Sequence, residues 1–453
     1  MMKSSPAVHV LGLLLLSGLA RAVTGCGGDP EAASADRESP PIEGRDGSPD
    51  VGAEGTAETI VVRGRVVTFG DTPLAGVPVL IDTHPIVLSD ANGQFSVPGV
   101  RPPYTLTAIV SASKSVFVYE GLSRVDPVIT ATDESMPVRR ASVTGTLTGG
   151  SGYPEGPLTR TEVQLASGTF EYFAAGLSTS KSNAFSIPDA FSYWHGPTTI
   201  QGTLHALQYT YASEDDRRPT NYTGYGTIDV SVTNGVMKED NAITLTPIAK
   251  ATLTAIAKPP PEYSVSYKTL KLTKDHRIIW SALHDDAKDE TLSYVLPRIG
   301  GAKAQVTVSA NDSGSGAMST TIVNELEVDA TNAEVRLLPS PRLGLPVEGA
   351  TGVTKETAFS WSKFEGGVHI FVIAGEPGQP RYQIVTTATE AKIPDLSAAG
   401  IALPLAANYM WTVGGYAPFS STDAYAGMNV LCSTSSPVLH QTQAPARSFT
   451  TAP

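Results

Sequence analysis

Short runs in which apolar and polar residues alternate recur along most of the chain after residue 58. Residues 59–67 alternate in part and residues 104–110 alternate throughout, which is typical of strands with one buried face. Between them, Asn92 and Gly93 offer the positive φ that a tight reversal needs. Long runs of helix formers are missing, while Thr, Ser, Val, Gly and Pro are abundant. The pattern predicts an all-β protein made of serial β-sandwich domains.

The first folded unit, residues 59–137, contains four separated sequence blocks. These blocks are Val62-Arg63-Gly64-Arg65-Val66, Pro73-Leu74-Ala75-Gly76-Val77-Pro78-Val79, Asp90-Ala91-Asn92-Gly93-Gln94-Phe95 and Tyr104-Thr105-Leu106-Thr107-Ala108. In this order and spacing they resemble the carboxypeptidase regulatory-like domain, a transthyretin-type β-sandwich. The resemblance covers under a fifth of the chain. It implies a fold and an accessory role rather than a reaction.

Two later segments echo the first unit. Phe95-Ser96-Val97-Pro98 recurs as Phe185-Ser186-Ile187-Pro188 and, more weakly, as Tyr294-Val295-Leu296-Pro297. Spacings of roughly 90 to 110 residues suit whole sandwich domains in series. We therefore expect a second, aromatic-rich β-sandwich over residues 138–250 and a third β-sandwich over residues 251–341.

The last unit, residues 342–453, resembles a fibronectin type III or related immunoglobulin-like sandwich. Trp361 ends an apolar run and is placed to cover a core, and Leu403 with Tyr409 resembles a tyrosine corner. Residues 416–446 form an insertion longer than such modules usually carry. The sequence leaves the role of this insertion open.

The N-terminus has the layout of an export signal. Lys3 precedes a short apolar run that cannot span a bilayer, and residues 1–25 are expected to be a signal peptide. The ending Val23-Thr24-Gly25-Cys26 resembles the bacterial lipobox, which implies acylation of Cys26 and a lipid-anchored protein of the cell envelope. Gly27, in place of Asp, favours the outer membrane. The alternative is an ordinary secretory signal followed by an incidental cysteine.

The composition predicts a flexible tether and argues against nucleic acid as a partner. After the acylated Cys26, residues 26–58 are rich in Gly, Pro, Ser, Asp and Glu and predict a flexible acidic tether. Acylation would leave Cys432 without a disulfide partner, as a free thiol. The formal net charge of −12 argues against nucleic acid as a partner and against electrostatic adhesion to anionic lipid. Membrane attachment would therefore depend on the lipid.

Sequence motifs for catalysis are missing. The chain has no HExxH zinc motif, no GxSxG nucleophile elbow and no glycine loop for phosphate. We therefore predict that the protein is not an enzyme and has no catalytic residue, cofactor or metal site. Two acidic clusters, residues 214–216 and 284–290, offer oxygen ligands for a divalent cation, but such runs are more often solvated loops.

Aromatic residues are concentrated in the second unit. Tyr193, Trp194 and His195 precede Gly196-Pro197 in an expected exposed loop, and Tyr209 and Tyr211 follow in the next apolar run. Because aromatic faces can stack on sugar rings, these five are candidate ligand-binding residues; the alternative is that they pack in the core. The leading hypothesis is a non-catalytic structural, adhesion or binding role, with an envelope protein as a candidate partner. A glycan-binding lipoprotein comes second and a hydrolase with an unrecognised site third.

Overall fold

The structure is a computed structural model and describes residues 58–453 except 69–70, 132–136, 154, 168–172, 178–181, 190–191, 214–215, 217, 286–287 and 428–435. The predicted signal peptide, Cys26, almost all of the tether and Cys432 lie outside the described residues. Nearly all regular structure in the described residues is β-strand, which confirms the all-β prediction. Within these ranges, no helix has the length and apolar character needed to cross a membrane.

The first unit is a two-layer sandwich of seven strands. Its strands are β1 (Ile60–Val67), β2 (Pro78–Ile81), β3 (Val87–Leu88), β4 (Gln94–Val100), β5 (Tyr104–Val110), β6 (Ser115–Leu122) and β7 (Val128–Thr130). One sheet has the order β4-β1-β7, with β1 antiparallel to β4 and parallel to β7. The other has the antiparallel order β3-β2-β5-β6. Alternation along β1 and β4 places Val62 and Val97 in the core between the sheets.

The second and third units contain sixteen further strands. In the second unit they are β8 (Arg139–Arg140), β9 (Val143–Gly149), β10 (Thr159–Ser167), β11 (Phe173–Leu177), β12 (Ala184–Ile187), β13 (Ser192–Trp194), β14 (Thr199–Tyr211), β15 (Pro219–Thr233) and β16 (Lys238–Leu245). In the third unit they are β17 (Lys250–Lys258), β18 (Tyr263–Lys274), β19 (Arg277–Asp285), β20 (Thr291–Pro297), β21 (Lys303–Asp312), β22 (Met318–Leu326) and β23 (Ala333–Arg336).

Both units repeat the topology of the first. The strand equivalent to β1 is antiparallel to one neighbour and parallel to the last strand of its unit, in the orders β12-β9-β16 and β20-β17-β23. The opposite sheets have the orders β15-β14-β10-β11, extended by β13 and β8, and β22-β21-β18-β19. The recurrence in the sequence therefore corresponds to three copies of one topology.

A glycine that faces an aromatic ring marks the first two copies. Gly64 pairs with Phe95 across β1 and β4, and Gly145 pairs with Phe185 across β9 and β12. A Cβ atom on either glycine would overlap the opposite ring. The aromatic residue that begins each repeated phrase therefore fills the space that the glycine leaves.

The fourth unit is also a sandwich. Its elements are β24 (Ala350–Val353), β25 (Phe359–Ser360), β26 (Val368–Gly375), β27 (Arg381–Thr386), β28 (Glu390–Ala391), a 3₁₀ turn (Ser397–Ala399), β29 (Asn408–Ala417), α1 (Thr422–Tyr425), β30 (Val438–Gln443) and β31 (Arg447–Thr451). Trp361 is buried in its core, as expected from the sequence. The expected tyrosine corner is wrong, because the buried Tyr409 hydroxyl has no hydrogen-bond partner among the described residues. The Tyr409 ring instead stacks on Phe449 at 5.6 Å.

Strands of the fourth unit extend the sheets of two other units. β30 pairs antiparallel with β22 of the third unit, and β27 pairs parallel with β6 of the first unit. A 14-stranded sheet therefore runs from β19 through the fourth unit to β3. The two edges that would otherwise expose unpaired backbone groups are covered in this way.

Candidate functional site

The aromatic residues of the second unit meet the third unit. Tyr209 on β14 and Tyr222 on β15 are buried, and their ring centroids lie 6.0 and 5.8 Å from that of Trp280 on β19. The two tyrosine rings lie 6.2 Å apart. We call Tyr209, Tyr222 and Trp280 the aromatic junction. Aromatic groups in tilted and edge-to-face contact stabilise such an interface beyond the area they bury.

One carboxylate joins both sides of the aromatic junction. Glu162 on β10 accepts a hydrogen bond from the Tyr209 hydroxyl at 2.8 Å and one from Trp280 Nε1 at 3.0 Å. Arg160 Nε lies 3.5 Å from the same carboxylate. Burial, and then the Glu162 charge, raise the pKa of Tyr209, so its hydroxyl remains a donor at ordinary pH. Glu162 therefore binds residues of two units at once.

Tyr211 belongs to the same buried surface. Its side chain is buried within the core formed by the second and third units, and its hydroxyl donates to Pro157 O at 3.2 Å. Neither Tyr209 nor Tyr211 has a ring face free for a ligand. The sequence suggested either ligand binding or core packing for these two residues, and in the structure both are packed in the core.

The expected exposed stretch 193–195 is largely enclosed, and the prediction that Trp194 is exposed was wrong. The Trp194 side chain is 0% exposed, and its Nε1 donates to Pro197 O at 2.7 Å. Tyr193 on β13 is half-buried, with the Arg140 guanidinium 5.8 Å from its ring centroid. His195 is also half-buried. The turn at Pro197 folds the indole into the core of the second unit.

The structure does not bring the five candidate residues together. Tyr193 pairs with Phe173 on β11, whereas Tyr209 pairs with Arg160 near the start of β10. The register of β10 and β11 places Phe173 level with the end of β10, so the two groups are separated by about 20 Å along the strand. The two groups therefore do not form one compact site.

The insertion of the fourth unit contains a segment that packs on the first unit, a contact that the sequence did not reveal. We call residues 418–427 the docking segment. Phe419, Tyr425 and Ala426 are buried in the same core as the strands of the first unit. The Tyr425 ring packs against Tyr119 of β6 at 6.1 Å and against Phe419 at 5.3 Å. The insertion whose role was open therefore supplies side chains to the core of the first unit.

Polar contacts fix the docking segment on the first unit. The Asp423 carboxylate accepts from the backbone N–H groups of Ser123 at 2.8 Å and Arg124 at 3.0 Å. The Arg124 guanidinium donates to Asp423 O at 2.7 Å, and Val128 N on β7 donates to Ala426 O at 2.7 Å. These four bonds satisfy backbone groups at the open end of the first sandwich. In the sequence, the docking segment is marked only by Phe419 and Tyr425 on either side of Asp423 in a long loop.

A histidine lies at the joint between the third and fourth units. Thr321 Oγ1 on β22 donates to Arg336 O at 2.8 Å, so it accepts from Nδ1 of His440 on β30 at 2.9 Å. Burial, followed by the charge of Arg336, lowers the pKa of His440. This imidazole is therefore neutral at ordinary pH and serves to connect two units.

A polar groove remains open on the second unit. It has a volume of about 560 Å³ and is lined chiefly by Gln201, Thr203, Asp229 and, from the third unit, Arg277. Thr203 Oγ1 donates to the Asp229 carboxylate at 2.7 Å. The groove therefore presents hydroxyl, amide, carboxylate and guanidinium groups to solvent.

The acidic clusters do not assemble a cation site in the described part of the chain. There, no group of three or more His, Cys, Asp and Glu side chains is placed to hold a metal ion. Asp216 pairs with Arg218 at 2.8 Å, and Asp289 pairs with the buried Lys268 at 2.6 Å. Residues 214, 215 and 286 lie outside the described residues.

No protein-family model matches this chain, and no curated protein matches it. Solved structures that resemble it include the Bacillus anthracis TIE protein, with 10% identity, 61% of this chain and 49% of that chain covered, and a TM-score of 0.17. The chicken CNTN1 FN1–FN3 domains share 10% identity over 83% of this chain and 100% of theirs, with a TM-score of 0.16. BcpA, the major pilin subunit of Bacillus cereus, shares 7% identity over 62% and 99%, with a TM-score of 0.13.

This chain thus spans about half the length of the TIE protein chain. Similarities this distant assign neither a family nor a function to this chain. The resemblance of the first unit to the carboxypeptidase regulatory-like domain stays a prediction.

Proposed function

We propose that this protein is exported, lipid-anchored at Cys26 to the cell envelope, and non-catalytic, with a structural or adhesion role. The observation that carries the proposal is that aromatic, histidine and acidic side chains of the protein form contacts between its units. Tyr209, Trp280, His440 and Asp423 all connect one unit to another. Because these side chains hold neighbouring units together, the protein is suited to a structural role in which its units keep a fixed arrangement.

The lipid anchor is supported by the sequence around Cys26. An apolar run, the ending Val23-Thr24-Gly25 and the tether of residues 26–58 occur in the order that acylation requires. Each CH₂ group of an acyl chain that enters the bilayer contributes about 0.8 kcal/mol, so two or three chains hold a protein firmly. Gly27 at the next position favours the outer membrane as the destination.

Metabolic labelling with a fatty acid in a bacterial host tests the anchor. The full-length chain should incorporate the label and sediment with membranes, whereas Cys26→Ser should lose the label and become soluble. Cys432→Ser is the matched control, because it removes the chain's other thiol and should leave both results unchanged. Labelling that persists in Cys26→Ser would refute the anchor.

A glycan-binding role is the second candidate, and the polar groove is the observation that favours it. Hydroxyl, amide and carboxylate groups of Gln201, Thr203 and Asp229 can bond to sugar hydroxyls, and Arg277 also lines the groove. The full chain should then bind members of a glycan array, and Gln201→Ala should weaken this binding. Trp194→Ala should affect binding only through loss of folding, since its indole is enclosed. A flat array would exclude this role.

A further inference from the structure

The hairpin between β18 and β19 brings two positive charges together beside the polar groove. Lys274 ends β18 and Arg277 begins β19, and the two residues lie directly opposite each other. The turn between them, Asp275-His276, has positive φ at both positions, as a two-residue hairpin turn requires. Directly opposed side chains point to the same face of a sheet, so the ammonium and guanidinium groups lie side by side. Arg277 itself lines the groove.

Neither cation has an anionic partner among the residues that the structure describes. Arg277 Nε is buried and unpaired, and neither the guanidinium nor the Lys274 ammonium forms a hydrogen bond or ion pair with a described residue. Burial, and then the charge of Lys274, lower the pKa of His205 on β14, so the ammonium lies close to the strand that lines the groove. Opposed like charges destabilise a pair of strands, and a buried N–H without an acceptor is costly. The hairpin therefore has unused donors and uncompensated positive charge beside the groove.

The nearby carboxylates have other neighbours. Asp229 in the groove is exposed and accepts a hydrogen bond from Thr203 Oγ1 at 2.7 Å. Glu325 lies 3.9 Å from Nδ1 of His276 in the turn of the hairpin. An oxyanion that approaches the two cations therefore displaces no ion pair of the described chain. The Asp229 carboxylate, which already accepts from one hydroxyl, suits the neutral hydroxyl groups of a ligand.

We propose that the ligand of the polar groove is an acidic saccharide, a sugar that carries a carboxylate or a sulfate. Its oxyanion binds between Arg277 and Lys274, because a planar guanidinium can donate two parallel hydrogen bonds to such a group. Hydroxyl groups of the same ligand bond to Gln201, Thr203 and Asp229. The inference rests on the glycan-binding role proposed for the groove and adds the charge of the ligand.

Binding of one saccharide with and without its charge tests the proposal. An oligogalacturonate carries a carboxylate on each sugar, and its methyl ester keeps the sugars but not the charges. The full chain should bind the acid at least about tenfold more tightly than the ester, the factor that a hydrogen bond to a charged group contributes. Sulfated and unsulfated dextran oligosaccharides give the same comparison for a sulfate. The net charge of −12 disfavours adhesion of acidic sugars elsewhere on the protein.

Three variants locate the charge that binds the oxyanion. Arg277→Gln should lower the affinity for the acid to that for the ester, and Lys274→Gln should change it in the same direction. Arg342→Gln is the matched control, since it removes one positive charge from the same unit. The Arg342 side chain is 87% exposed and lies 3.8 Å from Glu262, before the start of β18, about 35 Å along that strand from Lys274. It should leave both affinities unchanged.

The possible results separate this inference from the glycan-binding role. Equal binding of the charged and uncharged members in both pairs overturns the inference and leaves glycan binding intact, whereas failure of every saccharide to bind overturns both. A preference for the acid that survives in Arg277→Gln and Lys274→Gln also overturns the inference, because the oxyanion then binds elsewhere. Thermal melting without saccharide establishes that the variants are folded. Both glutamine variants should melt no lower than the parent chain, since each removes a like charge from the pair.

Discussion

Replacement of Tyr425 by alanine tests whether the docking segment completes the core of the first unit. The Tyr425 ring is buried and has Tyr119, Tyr416 and Phe419 around it, at centroid distances of 6.1, 6.2 and 5.3 Å. Truncating a buried aromatic side chain to alanine costs about 3–5 kcal/mol. Domains are stable by only about 5–15 kcal/mol, so the change removes a large part of the stability. We expect the loss to appear in the first unit as well as in the fourth.

Hydrogen exchange followed by mass spectrometry distinguishes the two units. Val128 N on β7 donates to Ala426 O, so its exchange reports directly on the docked segment. Protection of β7 and β1 should fall by at least about a hundredfold in Tyr425→Ala, the factor that corresponds to about 3 kcal/mol. If protection falls only in β29 and β30, the docking segment does not support the first unit and the reasoning is refuted.

Two control variants accompany this measurement. Tyr425→Phe keeps the ring and its contacts, and the Tyr425 hydroxyl is not needed for them, so exchange in β7 should stay close to that of the parent chain. Leu405→Ala truncates a side chain of the same unit that is 73% exposed, and it should leave protection unchanged. Together they separate loss of the ring from a general effect of substitution in the fourth unit.

Three further predictions concern the other units. Burial lowers the pKa of His205 to about 4. The second unit should therefore lose up to about 3 kcal/mol of stability as the pH falls from about 6.5 to 4. Denaturation at several pH values should show this loss, and His205→Gln should remove it. Glu162→Ala leaves the Tyr209 hydroxyl and the Trp280 indole unpaired, and should destabilise the junction by about 2–3 kcal/mol and shift the tryptophan fluorescence. Gly64→Ala places a methyl group against the Phe95 ring and should cost about 1–3 kcal/mol in thermal melting. An unchanged melting temperature would contradict the last of these.

Local features of the fold were predictable from the sequence. Gly93 has a φ of +71°, and β4, which follows it, alternates between exposed and buried residues from Gln94 to Pro98. Trp361 lies in a core, as its place after an apolar run indicates. Such features depend on residues that are close together in the chain, and their physical cause is the period of two in a strand and the special backbone of glycine.

Contacts between units could not be predicted in the same way. Alternation shows that Tyr209 and Tyr211 lie on one face of a strand, but not whether a neighbouring unit covers that face. The cover comes from Trp280, far along the chain. The alternation of apolar and polar residues also does not show which strand edges pair with another unit. Backbone hydrogen bonds such as those between β6 and β27 depend little on side-chain type. The sequence therefore predicted the all-β class correctly but did not show that Trp194, Tyr209 and Tyr211 are buried.

The docking segment also sets the order of events during biosynthesis. The first unit is translated about 300 residues before the segment that fills its core, which at 5–20 residues per second is a delay of roughly 15–60 s. During that interval the apolar side chains around Tyr119 have no cover, and β6 presents an unpaired edge. A nascent chain in that state exposes an apolar surface and an unpaired strand edge, both of which favour aggregation until the C-terminus is made.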